Sequence, residues 1–186
     1  MEESLYNMKI DLFKTSIYID NIDCKKIILK NEKFEENKFS ASNNLTSFSQ
    51  KTVLEENSKN FLLEKISSLL FNEILNPFTI TLTDIWQNNY KKNDFQEKHM
   101  HYKSHFSFII YNKIDESKTV FYNPSLHLIE SFYDSDFVHK TNFFKYDFEP
   151  KCRQNQLVLF PSYLEHLVKR TNSGVTIAGN LKIELI

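Results

Sequence analysis

The chain has 186 residues, 41% of them hydrophobic and 25% charged, with a formal net charge of −1. A charge this close to zero without a basic block argues against nucleic-acid binding as the main task, and no apolar run approaches the roughly 20 residues that span a bilayer. The two cysteines, Cys24 and Cys152, lie in unrelated contexts and point to neither a disulfide framework nor a thiolate metal knuckle. Reduced thiols and the lack of a basic-then-apolar leader pattern make a cytoplasmic protein the expectation, and the length suggests one domain.

Residues 9–19, K-I-D-L-F-K-T-S-I-Y-I, alternate well enough for one or two strands, and a helix is expected near Asp23 after the turn-prone D-N-I-D. From about Asn31 to Ser58 the chain is polar and reads as loop, a solvated connector in preference to a lid over the site. Leu62, Ile66, Leu69, Leu70 and Ile74 then recur at helical spacing. They predict a helix over Ser58–Leu75, capped by Ser58, stopped by Asn76-Pro77 and packed on the outside of a sheet. After Pro77, F-T-I-T-L-T-D-I-W alternates apolar residues with Thr, so Phe78, Ile80 and Leu82 share one strand face.

Two further strands, His105–Tyr111 and Lys118–Asn123, read as a hairpin around N-K-I-D-E-S. Ser125–Asn142 shows no period and is expected to be an insertion whose loops shape a substrate pocket. Phe143–Phe148 and Gln156–Phe160 read as strands, and Pro161-Ser162 bends the chain toward His166. The turn T-N-S-G suggests that Gly174 serves a positive-φ hairpin position, before a closing strand over 175–186.

The chemistry concentrates between Trp86 and Tyr111, which contains His99, His101 and His105. Residues two apart on a strand share a face at roughly 6–7 Å, so His99 and His101 can converge on one ion. A third ligand from a distant strand completes a facial set with open positions opposite, and His166, closing L-V-L-F-P-S-Y-L-E-H, is the natural candidate. Imidazole suits iron, zinc, copper or nickel alike. A lone histidine is more often a surface or hydrogen-bonded residue, which is how His105, His127 and His139 read.

The ordered blocks W-x-N-x-Y, H-x-H, F-S-F-I-I-Y, F-Y-N-P, L-V-L-F-P-S-Y-L-E-H and I-A-G-N, spread over about residues 78–186, resemble the iron(II)- and 2-oxoglutarate-dependent oxygenases. The resemblance implies a mainly β fold with flanking helices. Its double-stranded β-helix (jelly-roll, cupin-like) core would cover 78–186, supported by N-terminal strands, a loop and a helix in 1–77. It implies Fe(II) held by His99, His101 and His166, with His101 where most of the wider superfamily places an aspartate. It also implies 2-oxoglutarate as cosubstrate and hydroxylation of a peptide or small molecule.

Asn88, Tyr90, Tyr111, Thr176, Asn180 and Lys182 are the candidate cosubstrate contacts, the tyrosines reading equally well as an aromatic interior. The chain departs from the superfamily pattern at one point. Gly174 stands where an arginine normally meets the distal carboxylate of 2-oxoglutarate, and a bidentate guanidinium is not replaced by glycine. Strand parity places Thr176, Ala178, Asn180 and Lys182 on one face, and Lys182, Lys169 and Arg170 are the alternative sources of positive charge. Two other readings stay open: a non-catalytic jelly-roll binding or structural module, and a three-histidine cupin-type metalloenzyme without 2-oxoglutarate. No nucleic-acid or membrane partner is expected, and pairing of sheet edges leaves a homodimer open.

Overall fold

A computed structural model describes residues 14–30, 33–36, 45–48, 52–140, 144–170 and 173–186. The N-terminal part contains the short strands β1 (Tyr18–Asn21), β2 (Leu29–Lys30), β3 (Glu35–Glu36), β4 (Leu45–Thr46) and β5 (Val53–Leu54), followed by helix α1 (Glu56–Leu70). Then come β6 (Phe78–Tyr90), β7 (Gln96–His99), β8 (Phe106–Lys113) and β9 (Thr119–Tyr122), and the short helices α2 (Leu126–Phe132) and α3 (Ser135–Lys140). The last elements are β10 (Asp147–Phe148), β11 (Gln156–Pro161), β12 (His166–Val168) and β13 (Gly174–Leu185).

The strands form an antiparallel seven-stranded sheet in the order β1-β11-β8-β13-β6-β4-β3 and a four-stranded sheet in the order β10-β9-β12-β7, with β2 and β5 paired separately. From β6 onward the chain moves back and forth between the two larger sheets. That is the connectivity of a jelly roll, and it overturns the expected hairpin: β8 lies in the large sheet and β9 in the small one. Local alternation identified both strands, but it carries no information about which sheet a strand joins.

The two faces of the large sheet bury different residues. Ile85, Phe108, Ile110, Leu157, Leu159, Ile177 and Leu181 pack with Leu62, Ile66 and Leu70 of α1, so the helix lies outside the sheet as its stripe required. The opposite face brings Trp86, Ile109, Tyr111, Val158, Phe160 and Ala178 against Phe121 of the small sheet. A bulge in β6 makes this division. Leu82 pairs with Leu181 and Asp84 with Asn180, which leaves Thr83 without a partner. One extra residue reverses the parity of everything beyond it. Phe78, Ile80 and Leu82 face the helix layer as expected, whereas Asp84, Trp86, Asn88 and Tyr90 turn to the inner side.

Several boundaries shift from the sequence reading. Helix α1 starts at Glu56, and Ser58 sits in its first turn, its hydroxyl accepting the Ile28 N–H at 3.0 Å instead of capping the helix. The helix near Asp23 is a single 3-10 turn, Cys24–Lys26, capped by the Asp23 carboxylate. Of the strand expected over 9–19, residues 14–17 are not strand and β1 takes in Tyr18 and Ile19; residues 9–13 lie outside the described residues. The polar connector contains β3, β4 and β5, and Ser125–Asn142 contains α2 and α3 where no period was legible. Gly174 has no positive φ. It is glycine because a Cβ there would lie 2.6 Å from the Lys113 carbonyl oxygen and 3.2 Å from Ile114.

Candidate metal centre

His99 ends β7, His166 opens β12, and the two are direct antiparallel partners. His101 lies beyond the strand, so the expected same-face pairing along one strand does not hold. Its place is set by its backbone N–H, which donates to the Ser162 carbonyl at 2.9 Å. The turn that follows passes through Lys103 at φ 64°. Ring centroids of His99 and His166 are 4.3 Å apart, and those of His101 lie 5.3 Å from His99 and 5.2 Å from His166. One nitrogen from each ring lies within 4.8 Å of the other two.

Each imidazole is oriented by its other nitrogen. His99 Nδ1–H donates to the Glu97 carbonyl at 2.7 Å, and His166 Nδ1–H to the Leu164 carbonyl at 3.0 Å. His101 Nδ1–H donates to Asn180 Oδ1 at 2.7 Å. Asn180 Nδ2 in turn donates to Asp84 Oδ2 at 3.3 Å and the Ser107 hydroxyl donates to Asn180 Oδ1 at 2.9 Å, so the amide is held with its oxygen toward the ring. With Nδ1 protonated on all three rings, each Nε2 keeps its lone pair free, the arrangement that outer partners impose on metal-ligating histidines. Trp86 stacks on His101 at 5.6 Å, and Phe160 meets His101 and His166 edge-on.

Burial holds the rings neutral. It is the first cause of the lowered pKa of His101, which falls to about 4, with the His99 ring adding to it and Asp84 opposing it. His166 lies well below its ordinary value through burial and then the two neighbouring rings, and burial also lowers His99. Neutral imidazole is the ligating form. His101 Nε2 is buried without a protein partner, and an orphaned acceptor facing two others is what a cation would satisfy. The donor set fits a divalent transition-metal ion.

Two cavities border the triad. The inner one, about 30 Å³, has room for only one or two water molecules. Asn88, Tyr90, Tyr111 and Thr176 line it, joined by Gln96, Thr119 and Ile114. Its hydroxyls are already paired: Tyr90 donates to Gln96 at 3.1 Å, Tyr111 donates to Thr119 at 3.0 Å and Ser117 donates to Tyr111 at 2.8 Å. Burial raises both phenol pKa values, so these groups stay neutral.

The proposed sources of positive charge lie elsewhere. Lys182 is exposed, Lys169 pairs with Glu149 at 2.8 Å, and Arg170 lies over the Phe95 ring. Lys118 borders the cavity, but its ammonium pairs with Glu116 at 2.9 Å. Among the described residues, the distal carboxylate of 2-oxoglutarate would meet no free cation in this cavity, and the space is too small for it as it stands.

The outer cleft, about 460 Å³, is lined by Thr46, Phe48, Asp84, Trp86, Met100, Tyr102 and Asn180 together with His99 and His101. Asn180 therefore belongs to the His101 side and not to the inner cavity. Leu45–Phe48, read as connector, contributes a wall, with Phe48 edge-on to Trp86 at 4.8 Å. Asp84 and Trp86's stacking role were missed because the bulge at Thr83 hides the strand parity that would have pointed to them, and Ser107, on β8, was missed because its bond to Asn180 is a long-range contact with no local sign.

The family model described as "Putative 2OG-Fe(II) oxygenase" matches residues 84–178, just over half of the chain. The chain belongs to this oxygenase family. Among solved structures, a 2OG-Fe(II) oxygenase family oxidoreductase from Burkholderia pseudomallei aligns at 9% identity with a TM-score of 0.55, covering 82% of this chain and 74% of that one. A Pseudomonas putida prolyl-4-hydroxylase aligns at 13% identity and TM-score 0.49, covering 81% and 77%. HygX from Streptomyces hygroscopicus, solved with nickel, 2-oxoglutarate and hygromycin B, aligns at 9% and 0.49, covering 90% and 82%. At such identities the Burkholderia structure speaks for the shared jelly-roll fold alone. No curated protein is detectably similar in sequence. Among the described residues of this family member, no helix is long and apolar enough to cross a membrane.

Proposed function

We propose that this chain is an iron(II)-dependent oxygenase that binds the ion through Nε2 of His99, His101 and His166 and hydroxylates a peptide or small molecule entering through the outer cleft. The observation that carries the reading is the convergence of three neutral imidazoles, each with Nδ1–H committed to an oxygen acceptor. Bound iron would supply the activation of oxygen, and the protein's part is to hold three positions and leave the others open. Trp86, Phe160 and Phe121 keep the rings in place and shield their inner side. Family membership supports 2-oxoglutarate as the cosubstrate.

On the cosubstrate a second reading has its own observation: a three-histidine metalloenzyme that does not use 2-oxoglutarate. Its support is the small, internally hydrogen-bonded inner cavity, where the one cation among the described lining residues, Lys118, is already paired with Glu116. A carboxylate buried there without a counter-charge is costly. Anaerobic Fe(II) titration with and without 2-oxoglutarate separates the two. A visible metal-to-ligand charge-transfer band that needs 2-oxoglutarate and is lost in His166→Ala supports the first reading. Iron uptake without that band supports the second, and no iron uptake refutes both in favour of a non-catalytic module.

A further inference from the structure

Three neutral imidazoles leave a bound divalent ion with its full charge, where an aspartate ligand would neutralise part of it. Among the described residues lining the inner cavity and the outer cleft, Asp84 is the only carboxylate. It is one hydrogen-bonded amide away from the triad. Asn180 Nδ2 donates to Asp84 Oδ2 at 3.3 Å, and Asn180 Oδ1 accepts His101 Nδ1–H at 2.7 Å. The Thr83 hydroxyl donates to the same Asp84 oxygen at 2.9 Å. The unpaired Thr83 of the bulge brings Asp84 opposite Asn180 in the ladder. Without that extra residue, Asp84 would lie on the helix face.

Resting on the metal-binding reading above, we propose that Asp84 is a positioning residue which, through Asn180, supplies the negative charge absent from the ligand set and so raises the affinity of His99, His101 and His166 for a divalent cation. The chain Asp84–Asn180–His101 polarises the imidazole toward the ion, as a carboxylate bonded to a metal-bound histidine does, with an amide interposed. Outer partners of this kind are worth 10- to 100-fold in metal affinity. With an intervening amide and an exposed carboxylate, the lower end, about 10-fold, is expected for Asp84→Asn.

The test is anaerobic Fe(II) titration against a competing chelator, and Co(II) titration followed by its visible ligand-field spectrum, on the full chain. Asp84→Asn should weaken both ions about 10-fold, and Asp84→Glu should stay close to the wild type. The double variant Asp84→Asn with Asn180→Asp exchanges amide and carboxylate, placing the charge directly on His101, and should regain the affinity lost in the single variant. Added salt should narrow the gap between wild type and Asp84→Asn, because an exposed charge is screened; a purely structural role would not respond this way. An Asp84→Asn chain that binds as tightly as the wild type, or an exchange variant that stays as weak as Asp84→Asn, overturns the proposal alone. A wild type that takes up neither ion overturns the metal-binding reading, and this proposal with it.

Discussion

Gly174 offers the sharpest test of how closely β13 packs against the end of β8. A Cβ at this position would sit 2.6 Å from the Lys113 carbonyl oxygen and 3.2 Å from two atoms of Ile114. Lys113 is held in place because it ends β8 and pairs with Val175. Forcing a methyl group into such a contact costs about 1–3 kcal/mol, offset by about 0.4–1 kcal/mol from the reduced freedom of the unfolded chain. The balance predicts that Gly174→Ala is destabilised by roughly 1–2 kcal/mol. For a chain of this size that lowers Tm by about 2–8 °C. Urea and thermal unfolding of the metal-free protein, followed by circular dichroism, measure it directly. Gly174→Arg, which restores the residue usual in the wider superfamily, should be worse still and should not gain 2-oxoglutarate binding. An alanine variant as stable as the wild type, or an arginine variant that folds and takes up 2-oxoglutarate, would refute this account of the glycine.

Other variants and conditions probe the triad and the core. His166→Ala should lose measurable Fe(II) uptake while keeping the wild-type circular dichroism spectrum; retained tight binding would remove His166 from the ligand set. Metal-free protein should lose stability on acidification. The unfolded histidine titrates at 6.5 and folded His101 at about 4, so the unfolded chain binds the extra proton between them. The contribution is complete above pH 6.5 and is lost as pH falls toward 4, by up to about 3 kcal/mol for His101 alone; a urea midpoint that holds or rises over this range would contradict neutral buried rings. Leu62→Ala, at a position with 0% exposure, should cost about 2–5 kcal/mol in urea unfolding, since it empties the contact between α1 and the sheet. The Cys152 thiol, pushed up to about 11 by burial, should react slowly with a thiol reagent at pH 8 until the protein is unfolded, and rapid native reaction would count against its burial.

The parts of this fold that rest on local periodicity were legible. The Leu62–Ile66–Leu70 stripe, the alternation of Phe78, Ile80 and Leu82, and the even parity of Thr176, Ala178 and Asn180 all depend on side-chain direction over a few residues. What was not legible involves long-range pairing. The assignment of β8 and β9 to different sheets is invisible in either strand, and so is the close approach of Lys113 to Gly174, 61 positions away in sequence. His99 and His101 do meet, though for a different reason than strand parity: β7 stops at His99, and a backbone bond to Ser162 places His101. The H-x-H spacing pointed to residues that do converge, because a turn pinned just beyond a neighbouring strand can bring side chains together as well as a pleat.

The bulge at Thr83 ties these observations together. If β6 ran in regular register, Trp86, Asn88 and Tyr90 would share the face of Leu82 and lie under α1, and neither the stack on His101 nor the inner cavity would exist. The residue that creates the second core therefore also brings Asp84 to the cleft. Charge follows from the same step. The inner side is closed by its own hydrogen bonds, with Lys118 at its edge already paired to Glu116, and the one carboxylate among the described lining residues, Asp84, stands on the outer side, next to the open space. A divalent ion on the triad would be the strongest charge between them, so an anionic group approaching from the cleft gains more by reaching the ion than by passing it into the inner cavity.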